Sequence, residues 1–225
     1  TQVDKAEQEV ELASQINHLA VKQLASIANK QQARLIHIST DYVFDGESNK
    51  PYLETDTTNP MNVYGQTKLA GEKALHAVMP INAIIINTSW LYSEYGNNFV
   101  KTMLKLGQER DSLNVIFDQV GTPTYAKDLA KDIMNIVQSQ EFHQADFLTN
   151  SFHFSNEGVC SWYDFAKTIF ELANIQCHVN AIETKDYQTP AKRPHYSVLN
   201  KAKIKQTYHL VIPYWKDSLK QCLPG

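Results

Sequence analysis

The chain has 225 residues, 43% of them hydrophobic and 20% charged, with a formal net charge of −3. That length buries a sizeable core in one domain, or in one domain plus a small lobe. The charge gives no general pull towards nucleic acid or an anionic membrane, and no apolar run approaches the ~20 residues a membrane span needs. Cys160, Cys177 and Cys222 match no zinc or redox spacing; they read as buried, reduced thiols in a cytoplasmic protein. The opening residues Thr1–Glu7 resemble neither a signal nor a transit peptide and read as the middle of a protein.

Apolar residues Leu12, Ile16, Leu19, Leu24 and Ile27 recur near helical spacing, which predicts one long helix from Val10 to Gln32. Leu35–Ile38 reads as a short buried strand ending in the hydroxyl pair Ser39–Thr40. A polar loop follows from Asp41 to Pro60, then a helix from about Asn62 to Val78 before Pro80. Ala83–Ile86 is a second strand, ending at Asn87-Thr88-Ser89-Trp90. Beyond it come a helix near 97–108, a third strand over Leu113–Ile116, a Gly121–Thr124 loop and a helix over Lys127–Ser139. Short apolar strands alternating with amphipathic helices predict an α/β, doubly wound parallel sheet. After Gln140 the rhythm loosens. Strands are expected at Phe152–Phe154 and Val179–Ile182, and short helices near 200–206 and 214–222. Ser161 is expected to cap a helix that carries Asp164 at its third position. The division expected is a dinucleotide-binding domain over 1–140 and a mostly substrate-binding α+β lobe over 141–225.

One stretch concentrates chemistry. Thr40 and Asp41 follow the first strand, and Tyr64 and Lys68 stand four residues apart on the next helix, so a phenol and an ammonium share one face. Ligands of open α/β sheets bind outside the carboxyl ends of the strands, where Thr40, Asp41 and Trp90 fall. A phenol titrates near pH 10; a neighbouring ammonium favours its phenolate, and a hydroxyl such as that of Thr40 adds a second hydrogen bond to the same carbonyl oxygen. A positioned acid of this kind is worth ~10²–10⁴-fold in rate. Taken alone, a Tyr-x-x-x-Lys pair is more often a solvated helix face, and polar strand-end loops are ordinary. His37 alternates with Ile36 and Ile38 and reads as a strand residue. Lys192 and Arg193, in a proline-bounded loop, can clamp a diphosphate or simply be solvated, and residue type favours the second. No metal-ligand spacing is present, and no Gly-x-Gly-x-x-Gly cluster occurs among the eight glycines.

The segments Ser39-Thr40-Asp41-Tyr42-Val43-Phe44-Asp45-Gly46, Asn62-Val63-Tyr64-Gly65-Gln66-Thr67-Lys68, Thr88-Ser89-Trp90, Asp118-Gln119 with Gly121-Thr122-Pro123-Thr124, and Thr189-Pro190-Ala191-Lys192-Arg193-Pro194 together resemble one family. It is the dTDP-4-dehydrorhamnose reductase family, a branch of the extended short-chain dehydrogenases/reductases. The resemblance implies a Rossmann-like fold, NADPH or NADH as cofactor, and reduction of the C4 keto group of dTDP-4-dehydro-β-L-rhamnose for surface polysaccharide such as lipopolysaccharide. It implies catalytic roles for Thr40, Tyr64 and Lys68, and cofactor contacts for Ile38, Tyr64 and Lys68. Substrate contacts are implied for Thr40, Asp41 and Trp90. A homodimer is left open. About a quarter of a typical member, with its Gly-rich loop, precedes the segment matched here; the sheet is therefore expected to be incomplete at its N-terminal side, and these residues alone to bind NADPH weakly and to be inactive. Two departures stand out. Asn87 replaces the arginine usual before Thr-Ser-Trp, and Lys127 stands where some relatives place a carboxylate that helps hold Mg²⁺, so no metal site is expected. Two alternatives remain: a reductase of another dTDP-4-keto-6-deoxy sugar, and a non-catalytic NADP-binding subunit resembling the β subunit of methionine adenosyltransferase.

Overall fold

A computed structural model describes residues 2–223; Thr1, which belongs to the opening segment, lies outside them. Helices α1 (Val3–Gln8) and α2 (Val10–Ser14) lead through a π turn (Gln15–Leu19) into α3 (Ala20–Lys30). Strand β1 (Leu35–Thr40) is followed by a loop and α4 (Val63–Val78), then β2 (Ala83–Thr88) and β3 (Leu91–Tyr92). Next come α5 (Phe99–Glu109), β4 (Ser112–Ile116), β5 (Val120–Gly121), β6 (Thr124–Tyr125), α6 (Ala126–Gln138) and α7 (Gln140–His143). Strand β7 (Asn150–Phe154), β8 (Cys160–Ser161), α8 (Trp162–Leu172), β9 (His178–Ile182), α9 (Ala202–Tyr208) and α10 (Trp215–Cys222) complete the order. No helix among the described residues is long and apolar enough to cross a membrane.

The central sheet is parallel, in the order β1-β2-β7. All six residues of β2 are buried, because helices cover both of its faces. On one face Ala83 and Ile85 pack with Leu75 and Met79 of α4 and Val21 and Ala25 of α3. On the other, Ile84, Ile86, Phe152 and Phe154 meet Leu129 and Ile136 of α6 and Ile204 of α9. Each such aliphatic side chain contributes roughly 1.5–3 kcal/mol over leaving it in water. This is the doubly wound arrangement that the alternation of strands and helices predicts.

Three sequence expectations are modified. The long helix over 10–32 is interrupted by the π turn, where the Asn17 amide donates to Thr67 Oγ1 on α4 at 3.1 Å. Its periodic apolar residues do not form its packed face either. Leu12, Ile16, Leu19, Leu24 and Ile27 remain 45–59% exposed, while the smaller Val21 and Ala25 go inwards because they let α3 lie close on α4. Strand β4, expected to continue the main series, instead pairs in parallel with β9. The third strand of the central sheet is β7, from beyond residue 140, so the layers do not separate at a boundary there. The chain crosses between them repeatedly. Residues 99–125 enter the lobe, 126–154 return to the sheet, 160–182 build the lobe again, and α9 returns to cover the sheet.

The lobe has its own core, in which Val100 and Met103 of α5, Leu113 and Val115 of β4, Phe165 and Ile169 of α8 and Trp215 and Leu219 of α10 come together. Helix α8 starts where the sequence places it. The Ser161 hydroxyl accepts from the Asp164 N–H, while the Asp164 carboxylate takes the Ser161 N–H, both at 3.0 Å. Such reciprocal capping satisfies two otherwise orphaned donors. Cys160 and Cys222 are buried and Cys177 is half-buried, all three as free thiols.

Candidate active site

Thr40 is the last residue of β1. Its hydroxyl donates to Asp41 Oδ1 at 3.0 Å and accepts from the Tyr42 N–H at 3.2 Å, starting a single 3₁₀ turn over Asp41–Val43. Asp41 is 3% exposed, and its Oδ2 has no hydrogen-bond partner. The loop then delivers α4 onto this turn. Asn62 caps it by accepting from the Gly65 N–H at 2.8 Å, and Glu7 of α1 takes the Val63 N–H at 2.8 Å. A Cβ at position 65 would lie 2.2 Å from the Tyr42 carbonyl oxygen, so a glycine is required for the first turn of α4 to rest against the 3₁₀ turn. That close approach brings the Tyr64 ring edge-on to Tyr42, with centroids 5.7 Å apart at 80°.

The local charges follow from this packing. Burial raises the Tyr64 phenol to about 12; a hydrogen bond with Thr40 opposes the rise and the Asp41 charge adds to it. The Asp41 carboxyl is pushed up to about 7, again by burial, against hydrogen bonds from Thr40 and Ser197. Lys68 lies one turn beyond Tyr64. Its Nζ donates to the Ile38 carbonyl at 2.7 Å and faces His37 Nε2 at 3.5 Å. Burial lowers the Lys68 ammonium and Glu72 opposes that shift. His37 is lowered to about 4, first by burial and then by the Lys68 charge. It is a strand residue as expected, but one in contact with the site.

Trp90 completes the set from the next strand. Thr88 pairs in register with Thr40, so Trp90 stands just past the end of β2 beside the end of β1. It adopts a left-handed backbone, φ 47°, and stacks on Trp162 of α8 with centroids 3.6 Å apart and planes within 10°. The Gly121–Thr124 loop backs this pair although β4 lies outside the central sheet. A Cβ at Gly121 would stand 2.6 Å from Ser197 Oγ and 2.7 Å from Trp90 Cε2. Gly121→Ala is therefore expected to push Trp90 off Trp162. A changed tryptophan emission spectrum would register it, and an unchanged spectrum would contradict the packing described.

The structure thus brings Thr40, Asp41 and Tyr64 into one cluster, with Lys68 one turn along α4 and bonded to the Ile38 carbonyl of β1, and Trp90 on the lobe side. Two clefts lie near them: Tyr64 lines the first, and the second meets the set through Trp162, the stacking partner of Trp90. One, of about 290 Å³, is lined by Tyr64 together with Gln2, Ala6, Ala13 and Asn17 of the first helices. The other, of about 830 Å³, lies in the lobe and includes Phe99, Arg110, Asn114, Trp162, Tyr187 and Arg193. Sequence reasoning passed over Trp162, Glu72 and Ser197; Ser161 as an N-cap was the signal that Trp162 opens a helix. It also favoured a solvated Arg193, and the structure corrects this. Arg193 makes a two-pronged ion pair with Asp4 of α1, at 3.1 and 2.7 Å. The hydrogen bond from Arg193 holds the Asp4 carboxyl below its ordinary range. Lys192 is exposed.

Comparison with known proteins agrees with this geometry. The sequence model of the RmlD substrate binding domain matches residues 1–224. The dTDP-4-dehydrorhamnose reductase of Escherichia coli (strain K12) is 45% identical over 229 residues, which cover 99% of this chain and 76% of that protein. The crystal structure of a dTDP-4-dehydrorhamnose reductase from Clostridium acetobutylicum superposes with a TM-score of 0.92 at 44% identity, over 99% of this chain and 76% of that one. That of the Bacillus anthracis enzyme, in complex with NADP, gives 0.91 at 39% identity over the same shares. A Tyr-x-x-x-Lys helix beside the hydroxyl end of a parallel strand, a stacked tryptophan pair at the lobe and similarity along nearly the whole chain lead to one assignment: this chain belongs to the RmlD substrate-binding-domain family of dTDP-4-dehydrorhamnose reductases.

Proposed function

We propose that the chain carries the reducing site for dTDP-4-dehydro-β-L-rhamnose, converting its C4 ketone to the alcohol of dTDP-β-L-rhamnose with NADPH. The observation that carries this reading is the cluster of Thr40, Asp41 and Tyr64 at the end of β1, next to a lobe cleft large enough for a nucleotide. The residues present fit the nicotinamide end of the cofactor. Tyr64 lines the smaller cleft, and the Lys68 ammonium has three donors, one of them taken by the Ile38 carbonyl. When bound, the reduced nicotinamide supplies the hydride that C4 receives.

The chain's own residues do the rest. Tyr64, raised to about 12, is a protonated phenol at neutral pH and donates its proton to the C4 oxygen as negative charge builds there. Thr40 hydrogen-bonds the same oxygen and holds the ketone in line. Lys68 binds the nicotinamide ribose and stabilises the phenolate that Tyr64 becomes. Asp41, with a free Oδ2, accepts from a sugar hydroxyl, and Trp90 covers the sugar from the lobe side. In the larger cleft Arg193 and Arg110 are cations for the diphosphate, and Trp162 with Phe99 forms an aromatic wall.

The test is direct. The full-length protein that carries these residues is supplied with NADPH and dTDP-4-dehydro-β-L-rhamnose, and loss of NADPH absorbance is followed alongside appearance of dTDP-β-L-rhamnose. Stoichiometric conversion is expected. Tight NADPH binding without turnover of this or any related 4-keto sugar would favour a non-catalytic subunit instead.

A further inference from the structure

Tyr64, Lys68 and Glu72 fall at i, i+4 and i+8 on α4, a single stripe facing the ends of β1 and β2. The first two have roles in the reading above. Glu72 has none, yet it is 7% exposed and sits among polar groups that all belong to the strand ends. Its Oε1 accepts from the Ser39 hydroxyl on β1 and from Asn87 Nδ2 on β2, the latter at 2.8 Å. The same Asn87 amide also donates to the Thr40 carbonyl at 3.0 Å. Glu72 therefore fastens both strands at the level of Thr40. It is also the acidic group that supports the charge on Lys68, without touching the ammonium directly.

A carboxylate buried at such a place is costly unless its charge is used or fully satisfied. Burial raises the Glu72 carboxyl; the Ser39 and Asn87 hydrogen bonds, which converge on one oxygen, and the charges of Lys68 and Lys73 oppose the rise. Asn87 is neutral. A cation at position 87 would compete with Lys68 for the Glu72 charge; an amide keeps the strand-end hydrogen bonds and leaves that charge to Lys68.

We propose that Glu72 is a positioning residue for the reduction: through Ser39 and Asn87 it fixes the end of β1 that carries Thr40, and its negative charge keeps Lys68 an ammonium. The proposal rests on the reading that Lys68 serves Tyr64 and the nicotinamide ribose. Other titratable or charged groups around the stripe are His37 on β1, Tyr64 and Lys73 on α4, Asp41 on the 3₁₀ turn, Glu7 at the start of α4 and His18 on the π turn packed against it. His37 is neutral at working pH, so it adds no positive charge beside Lys68.

The experiment is an NMR titration of the lysine Cε–Nζ groups in the protein, with Lys68 assigned by its loss in Lys68→Met. Glu72→Gln keeps the acceptor for Ser39 and Asn87 and removes only the charge. The Lys68 midpoint is expected to fall by about one pH unit or more, and Glu72→Asp to restore much of it. In turnover, the high-pH limb of kcat should move down with that midpoint, while KM for the sugar nucleotide stays the same. An unchanged Lys68 midpoint in Glu72→Gln overturns the proposal. If that variant fails to fold, the wild-type carbon signal of the Glu72 carboxyl decides: a group still protonated above neutral pH has no charge to lend, and the proposal is wrong. Since both titrations need neither NADPH nor substrate, their outcome is separate from that of the turnover assay.

Discussion

Tyr64→Phe is expected to lower kcat by about 10²–10⁴-fold, with KM for the sugar nucleotide changed only slightly. The phenyl ring keeps its edge-on contact with Tyr42, so the packing that sets the first turn of α4 survives. What is lost is the hydroxyl proposed to protonate the C4 oxygen. Thr40 cannot replace it, because an aliphatic alcohol is a far weaker acid than a phenol. The pH profile adds a second test. Because burial holds Tyr64 at about 12, the proton-donating form persists through neutrality, and wild-type kcat should not fall on account of Tyr64 until alkaline pH. A fall in the neutral range would point to a different acid. Full activity in the phenylalanine variant, measured by NADPH consumption with dTDP-4-dehydro-β-L-rhamnose, would remove Tyr64 from the mechanism.

Much of this site is legible in the sequence for a physical reason. Helical spacing alone places Tyr64 and Lys68 on one face, and a strand ending in Ser39–Thr40 followed by a turn places Thr40 at the carboxyl edge of a sheet. Those rules are local and hold here. What local rules miss comes from contacts between distant segments. The π turn at 15–19 is fixed by Asn17 reaching Thr67, and the membership of β4 is decided by pairing with β9, some sixty residues later in the chain. The pairing of Arg193 with Asp4 joins opposite ends of the chain. Trp162 is seen as part of the site only once α8 stacks it under Trp90. Lys68 is the instructive case. Its position on α4 is given by spacing, but its hydrogen bond to the Ile38 carbonyl and the support from Glu72 depend on how α4 lies across β1.

Asp41→Asn is expected to move stability and activity in opposite directions. The carboxyl is held at about 7 in the folded chain against an ordinary 3.8, because burial disfavours its charge. The native state therefore binds a proton that the unfolded chain gives up, so stability is full below about pH 4, falls as pH rises, and carries the whole penalty above about pH 7. At 1.36 kcal/mol per unit the ceiling is about 4 kcal/mol, and an expected gain of about 2–4 kcal/mol for the asparagine variant near pH 8 corresponds to roughly 4–16 °C in melting temperature. The gain should shrink on acidification and vanish near pH 4, which thermal melts across that range would show. The amide can be accommodated. Its oxygen takes the Thr40 hydrogen bond, and its nitrogen takes the place of the oxygen that has no partner. Activity should fall instead. In the proposed reading the unpartnered carboxylate oxygen accepts from a sugar hydroxyl, and an NH₂ in its place meets that hydroxyl with a donor. Loss of a hydrogen bond to a charged group is worth about 1.5–3 kcal/mol, so kcat/KM should drop by about 10–100-fold. A variant that is both stabler at alkaline pH and poorer in turnover would mark Asp41 as a charge kept buried for binding. Equal activity in Asp41→Asn would mean that the unpartnered oxygen does not face the sugar.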